Sequence, residues 1–150
     1  MDSILSKGED LFKYVPQFHL DENGRFKYIL IQLKFKDEVL YFVRGEKKYN
    51  YHMENFEKFA LDLRNCGLKF DQFDYEDDDD NIVCKVQNIP FQLICVGGGR
   101  VEISQEKKSL FIYGYSQSFG RADHTIALEI SKQHLKNFPQ ENFTWSNEGY

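Results

Sequence analysis

From Arg25 the chain reads RFKYILIQLKF, an imperfect alternation rich in β-branched and aromatic residues, and after a short polar turn at Lys36 to Glu38 it continues VLYFVRG. Two such runs about a turn predict a β-hairpin. In YHMENFEKFALDLRNCG the period changes: Phe56, Phe59, Ala60 and Leu63 fall at i, i+3, i+4 and i+7, and Gly67 stands where a helix would close. A strand LKFDQF should follow. The acidic run EDDDDN, Glu76 to Asn81, then interrupts the pattern before IVCKV and FQLICV resume it. RVEIS and SLFIYGY, separated by QEKK, predict a second hairpin. A second helix is expected from about Ala122 to Lys136, with Ile126, Ala127 and Ile130 on one side and Pro139 barring any extension. NFTWSNEGY predicts a short final strand.

Strands interrupted by two helices predict an α+β fold: a mixed, mostly antiparallel β-sheet flanked by two main α-helices, in a single domain spanning 1–150 with an acidic insertion at about 74–90. The residues before Pro16 are compatible with a helix or a tail. At this length one core suffices.

A formal net charge of −5 argues against nucleic acid or an anionic membrane as the main partner. No apolar run reaches the length of a membrane span, and MDSILSKGED lacks the layout of a signal peptide. A cytoplasmic, monomeric protein is expected. Cys66, Cys84 and Cys95 are too few and too widely spaced for a disulfide framework or a zinc site, so buried reduced thiols are expected. His19, His52, His124 and His134 share no metal-ligand spacing, and no metal or cofactor is expected. Consecutive carboxylates at Asp77 to Asp80 cannot all face one ion, so the run reads as a solvated loop.

Candidate chemistry gathers at element ends. His52 lies in the first turn of the first helix, with Asn50 as the expected N-cap, where the helix dipole disfavours imidazolium. A neutral imidazole can act as base or nucleophile; a lone helix-start histidine can equally be packing. Lys27, Arg44 and Arg100 sit at the ends of different elements. Such cations either mark where strands reach solvent or converge on an anion. GGGR at Gly97 to Arg100 lacks the Gly-Lys-Ser/Thr ending of a phosphate loop and reads as a bulged strand whose glycines permit close approach. The stretch IYGYSQSFGRADHTIALEI runs from strand through a small-residue loop into a helix. Hydroxyls and N–H groups around Ser116, Gln117 and Ser118, with the N-terminus of that helix, are candidates to hold an anion.

Taken in order, GRFKYILIQL, VRGEKKYNYH, GGGRVEIS, IYGYSQSFGRADH and TWSNEGY resemble the successive blocks of the phosphohistidine phosphatases, the family that also contains the insect Janus and Ocnus proteins. The similarity covers about Gly24 to Cys66 and Val96 to Tyr150 and breaks between about Phe73 and Pro90, at the acidic insertion. It implies a small metal-independent phosphatase acting on histidine-phosphorylated proteins or peptides, and on other phosphoramidates such as phospholysine. By the same resemblance His52 matches the catalytic histidine, Lys27, Arg44 and Arg100 match basic residues of the site, and Ser116 matches the serine of the phosphate-binding loop. Ser118 stands in place of a frequent alanine, Phe119 of a tyrosine and Arg121 of a proline; His124 matches a second family histidine, read as structural. The alternative from another class is a non-catalytic, germline-specific or phosphoprotein-binding relative that keeps the fold and the anion pocket.

Overall fold

A computed structural model describes residues 8–68, 70, 72–75, 81–86 and 89–148. Its α+β fold is one sheet with a helix on each face. The strands are β1 (Phe18–Leu20), β2 (Gly24–Phe35), β3 (Glu38–Gly45), β4 (Gln72–Tyr75), β5 (Asn81–Val86), β6 (Ile89–Ser104), β7 (Ser109–Tyr113) and β8 (Phe143–Trp145). Helix α1 (His52–Arg64) follows β3 and helix α2 (His124–His134) follows β7. The strands run β1-β3-β2-β6-β5-β4, with β7 joining β6 and β8 joining β7. Among the described strand pairs only β1–β3 and β7–β8 are parallel.

Alternation along β2 gives each face its own core. Ile29, Ile31, Leu33 and Phe35 pack with Phe56, Phe59, Ala60 and Leu63, the α1 positions read from the helical period. Phe26, Tyr28 and Leu30 point the other way, into a second cluster with Ala127, Leu128 and Ile130 of α2.

The strand that joins both halves is β6. It spans 16 residues without a break through the triple glycine. Opposite β2 its register steps, Leu30 pairing with Gly97 but Ile31 with Cys95, so that Val96 is an extra residue. Such a bulge inverts the faces downstream. Phe91, Leu93 and Cys95 face α1, whereas Val101 and Ile103 face α2. Arg100, pairing with Lys27, is thereby carried to the α1 side.

Several expectations shift. The strand after α1 is β4, beginning at Gln72 rather than Leu68, which instead packs in the α1-side core. The acidic run from Glu76 to Asp80 lies outside the described residues, between the paired strands β4 and β5. Helix α2 ends at His134, two residues short of the expected Lys136. Before Pro16 a 3₁₀ helix spans Gly8–Lys13 and buries Leu11 against the α1-side core. All three cysteines are free; Cys84 and Cys95 are buried in strands and Cys66 follows α1. Burial pushes the Cys84 thiol up to about 12, which keeps it protonated.

Candidate active site

At the end of β2, beside the bulged half of β6, a cavity of about 150 Å³ is lined by Lys27, Tyr51, His52, Arg100, Tyr115, Ser116, Gln117 and Ser118. Chain elements far apart in sequence meet here because Lys27 and Arg100 are register partners and α1 begins directly above them.

His52 is the first residue of α1 and is 7% exposed. The N-cap is Tyr51 rather than the expected Asn50, and Glu54 Oε1 reaches back to accept the Tyr51 N–H at 3.1 Å. The imidazole rests on Gly98, where a Cβ would come within 2.6 Å of His52 Cδ2. His52 Nε2 lies 2.8 Å from the Gly99 carbonyl oxygen. A carbonyl only accepts, so Nε2 carries the hydrogen and, in the neutral ring, Nδ1 keeps its lone pair. Burial holds the imidazole pKa below its ordinary value; the Gly99 bond opposes this, and the charges of Lys27 and Arg100 reinforce it.

The cations differ in their surroundings. Lys27 Nζ donates to the Asn50 carbonyl at 2.5 Å and lies 5.4 Å from the centre of the Tyr51 ring. Arg100, half-buried, lines the cavity from β6. Arg44 does not join them. It is buried, donates to the carbonyls of Val43 and Pro16, and lies 4.9 Å from the Phe59 ring centre. Burial lowers its pKa to about 10. Arg44 pairs with Ile29 on the opposite edge of β2 from Gly98, so it opens into a separate cavity on the other side of α1. The expectation of a three-cation cluster is corrected to two, because strand pairing, invisible in the sequence, decides which side of the helix each cation reaches.

The small-residue loop closes on itself. Ser116 and Gly120 exchange backbone hydrogen bonds of 3.0 and 2.8 Å, and Ser116 Oγ accepts the Phe119 N–H at 3.1 Å. The Ser116 hydroxyl thus shapes the loop from within, while Gln117 and Ser118 are exposed. Among the described residues no acceptor meets the backbone N–H groups of Gln117 and Ser118. Two anchors fix the loop: Gly98 N–H donates to Gly120 O at 3.0 Å, and the Phe119 ring packs edge-on against Phe56, one turn along α1 from His52. The start of α2 is not part of the site. Asp123 caps it, accepting from Thr125 N at 3.0 Å, and a carboxylate there repels an anion.

His124 approaches the same glycine pair from the opposite face. A Cβ on Gly99 would come within 2.8 Å of its ring, its Nε2 donates to Gly114 O at 2.8 Å, and Tyr28 Oη lies 2.5 Å from its Nδ1. With both nitrogens engaged it is a structural histidine. The close approach expected of the triple glycine is thus made by two histidine rings, to Gly98 and Gly99, whereas nothing in the sequence pointed to the packing of Phe119 on Phe56.

One grouping of metal-ligating types forms among the described residues: ligand atoms of His19, Asp21 and Glu46 lie within 4.8 Å of one another. They already satisfy one another and the backbone, His19 Nε2 to Glu46 Oε1 at 3.3 Å and Lys47 N–H to Asp21 Oδ2 at 2.6 Å. No helix among the described residues is long and apolar enough to cross a membrane.

Known proteins resemble the chain over most of its length. The chain is 29% identical over 143 residues to the 14 kDa phosphohistidine phosphatase of Homo sapiens, covering 91% of this chain and 94% of that protein. The protein of the same name from Sus scrofa is 28% identical over 143 residues, covering 91% of this chain and 93% of that protein. The sex-regulated protein janus-A of Drosophila melanogaster is 30% identical over 156 residues, 98% of this chain and 96% of that protein. A family model described as Janus/Ocnus matches residues 12–142, and the chain belongs to the Janus/Ocnus family.

Proposed function

We propose that this protein is a metal-independent phosphohistidine phosphatase, hydrolysing the P–N bond of phosphohistidine in proteins and peptides. The observation that carries the reading is the tautomer of His52: Nε2–H is tied to Gly99 O, which leaves the Nδ1 lone pair for chemistry beside two cations. Lys27, Arg100 and the N–H groups of Gln117 and Ser118 would neutralise the phosphoryl oxygens, with Tyr51 and Tyr115 at the rim. The phosphatase names of the mammalian relatives support the assignment.

Nδ1 has two possible roles. As a base it takes a proton from water as that water attacks phosphorus, and the substrate imidazole departs with a proton. As a nucleophile it attacks phosphorus itself, the phosphoryl group moving from one imidazole nitrogen to another before water releases it. The direct-water route needs one displacement in a cavity sized for a single phosphoryl group, and it is the route proposed. The test is phosphate release from a phosphohistidine peptide with and without chelator, then a denaturing quench during turnover. Chelator-insensitive release that is lost in His52→Ala is expected. A base-stable, acid-labile phosphate on His52 formed at the turnover rate would overturn the direct-water route but not the phosphatase. Binding of the peptide without release would favour a non-catalytic phosphoprotein-binding role.

A further inference from the structure

The cavity on the far side of α1 is built around donors that the fold leaves unmatched. It measures about 220 Å³, and Arg44, Asn55 and Asp62 are among its lining residues. Asn55 is 2% exposed, and among the described residues its Nδ2 has no hydrogen-bond partner. Buried side-chain donors are rarely left so. Arg44 is 7% exposed and uses two of its N–H groups on carbonyls. Among the described residues no carboxylate oxygen lies within 4.0 Å of its guanidinium. The acids of the rim are engaged elsewhere: Asp62 with Lys58 at 2.6 Å and Glu46 with His19 at 3.3 Å.

A buried guanidinium with no carboxylate within 4.0 Å, on which Asp62 and Glu46 act only from farther away, and a buried amide N–H without an acceptor, both on residues that line one cavity, call for a single complement: a small group that is both anionic and an acceptor. We propose that this cavity is a carboxylate-binding site, with Arg44 and the Asn55 amide as its donors. A planar carboxylate matches the guanidinium fork in a bidentate fashion. Glu46 and Asp62 at the rim set its selectivity, since repulsion from them weighs more on a phosphate dianion than on a carboxylate monoanion. The carboxylate is either a side chain of a protein bound at the neighbouring active site or a free small acid. The inference does not depend on phosphatase activity, because its test reads binding alone.

The full chain, labelled with ¹⁵N, is titrated with sodium acetate and with sodium chloride at matched ionic strength, following the Asn55 Nδ2H₂ and Arg44 Nε–H resonances. A saturable shift of both with acetate, absent with chloride and smaller with inorganic phosphate, is expected. In Asn55→Leu, which keeps the volume and removes the donor, the Arg44 shift should need at least about tenfold more acetate. No saturable shift in the wild type, an equal response to chloride, or undiminished affinity in Asn55→Leu overturns the site; the first two need no variant to fold. Peptides then identify the source. Displacement of acetate by a glutamate-containing peptide and not by its glutamine counterpart supports a side-chain occupant, and displacement by neither supports a free acid.

Discussion

Two arginines that look alike in the sequence should behave differently when removed. Arg100 lines the His52 cavity, so Arg100→Ala should raise KM and lower kcat/KM by the worth of a charge-assisted contact, roughly 1.5–3 kcal/mol. Arg44→Met would instead leave the carbonyls of Val43 and Pro16 without their donor, costing about 1–3 kcal/mol of stability with a smaller change in KM. Denaturant midpoints and peptide kinetics on the two variants separate these effects; the reverse pattern would return Arg44 to the active site. For His52 the direction is also fixed. Burial and two cations keep its pKa below 6.5, so activity should hold at pH 6.5 and fall only as acid reaches the lower folded value. The identity of His52 and its place at a helix start were legible in the sequence. Its tautomer was not, because the acceptor is a backbone carbonyl 47 residues away.

At the scale of elements, the bed under His52 is strand β6. Gly98→Ala would drive a Cβ to 2.6 Å from the His52 ring and 2.7 Å from the Tyr28 carbonyl oxygen, and the backbone cannot yield as a side chain tip would. Loss of turnover together with about 1–3 kcal/mol of destabilisation is expected. Gly120→Ala is the informative control. Its φ is +84° but no atom lies within 4 Å of its Cβ, so it should cost only backbone strain, on the order of 1 kcal/mol. Both hairpins, both helices and β8 could be read from period and turn chemistry, because those signals are local. β1 could not: its three residues pair in parallel with β3 and carry no alternation long enough to read. The bulged strand through the triple glycine could be read as well, but not the place of the bulge, since Val96 becomes the extra residue only through the pairing of Leu30 with Gly97 and Ile31 with Cys95. The start of α2 looked like an anion site by composition, and Asp123 reverses that reading.

For the whole molecule, the buried histidines make folding sensitive to acid. Buried His52 and His124 have pKa values lowered chiefly by burial, and the exposed His134 shifts in the same direction. The unfolded chain therefore binds protons first, near pH 6.5, and stability from these groups is complete above that value and lost as pH falls towards the folded ones. Urea midpoints should drop between about pH 7.5 and 5.5. A midpoint that rises on acidification in that window would show the rings to be stabilised as cations. Asp123, held below the usual carboxylate range by Thr125, keeps its charge throughout the window and does not confuse the result. The sheet also has an unusual numerical property. Upstream of Val96 odd-numbered residues of β6 look towards one helix, and downstream they look towards the other. The position works as a phase shift between residue number and sheet face: the bulge absorbs one extra residue, whatever its type, and leaves the pairing on either side unchanged. Val96→Thr should fold, and deleting Val96 should close the bulge, so that Cys95 and Gly97 become neighbours opposite Ile31 and Leu30 while Arg100 keeps its place on the α1 side and Val101 its place in the interior.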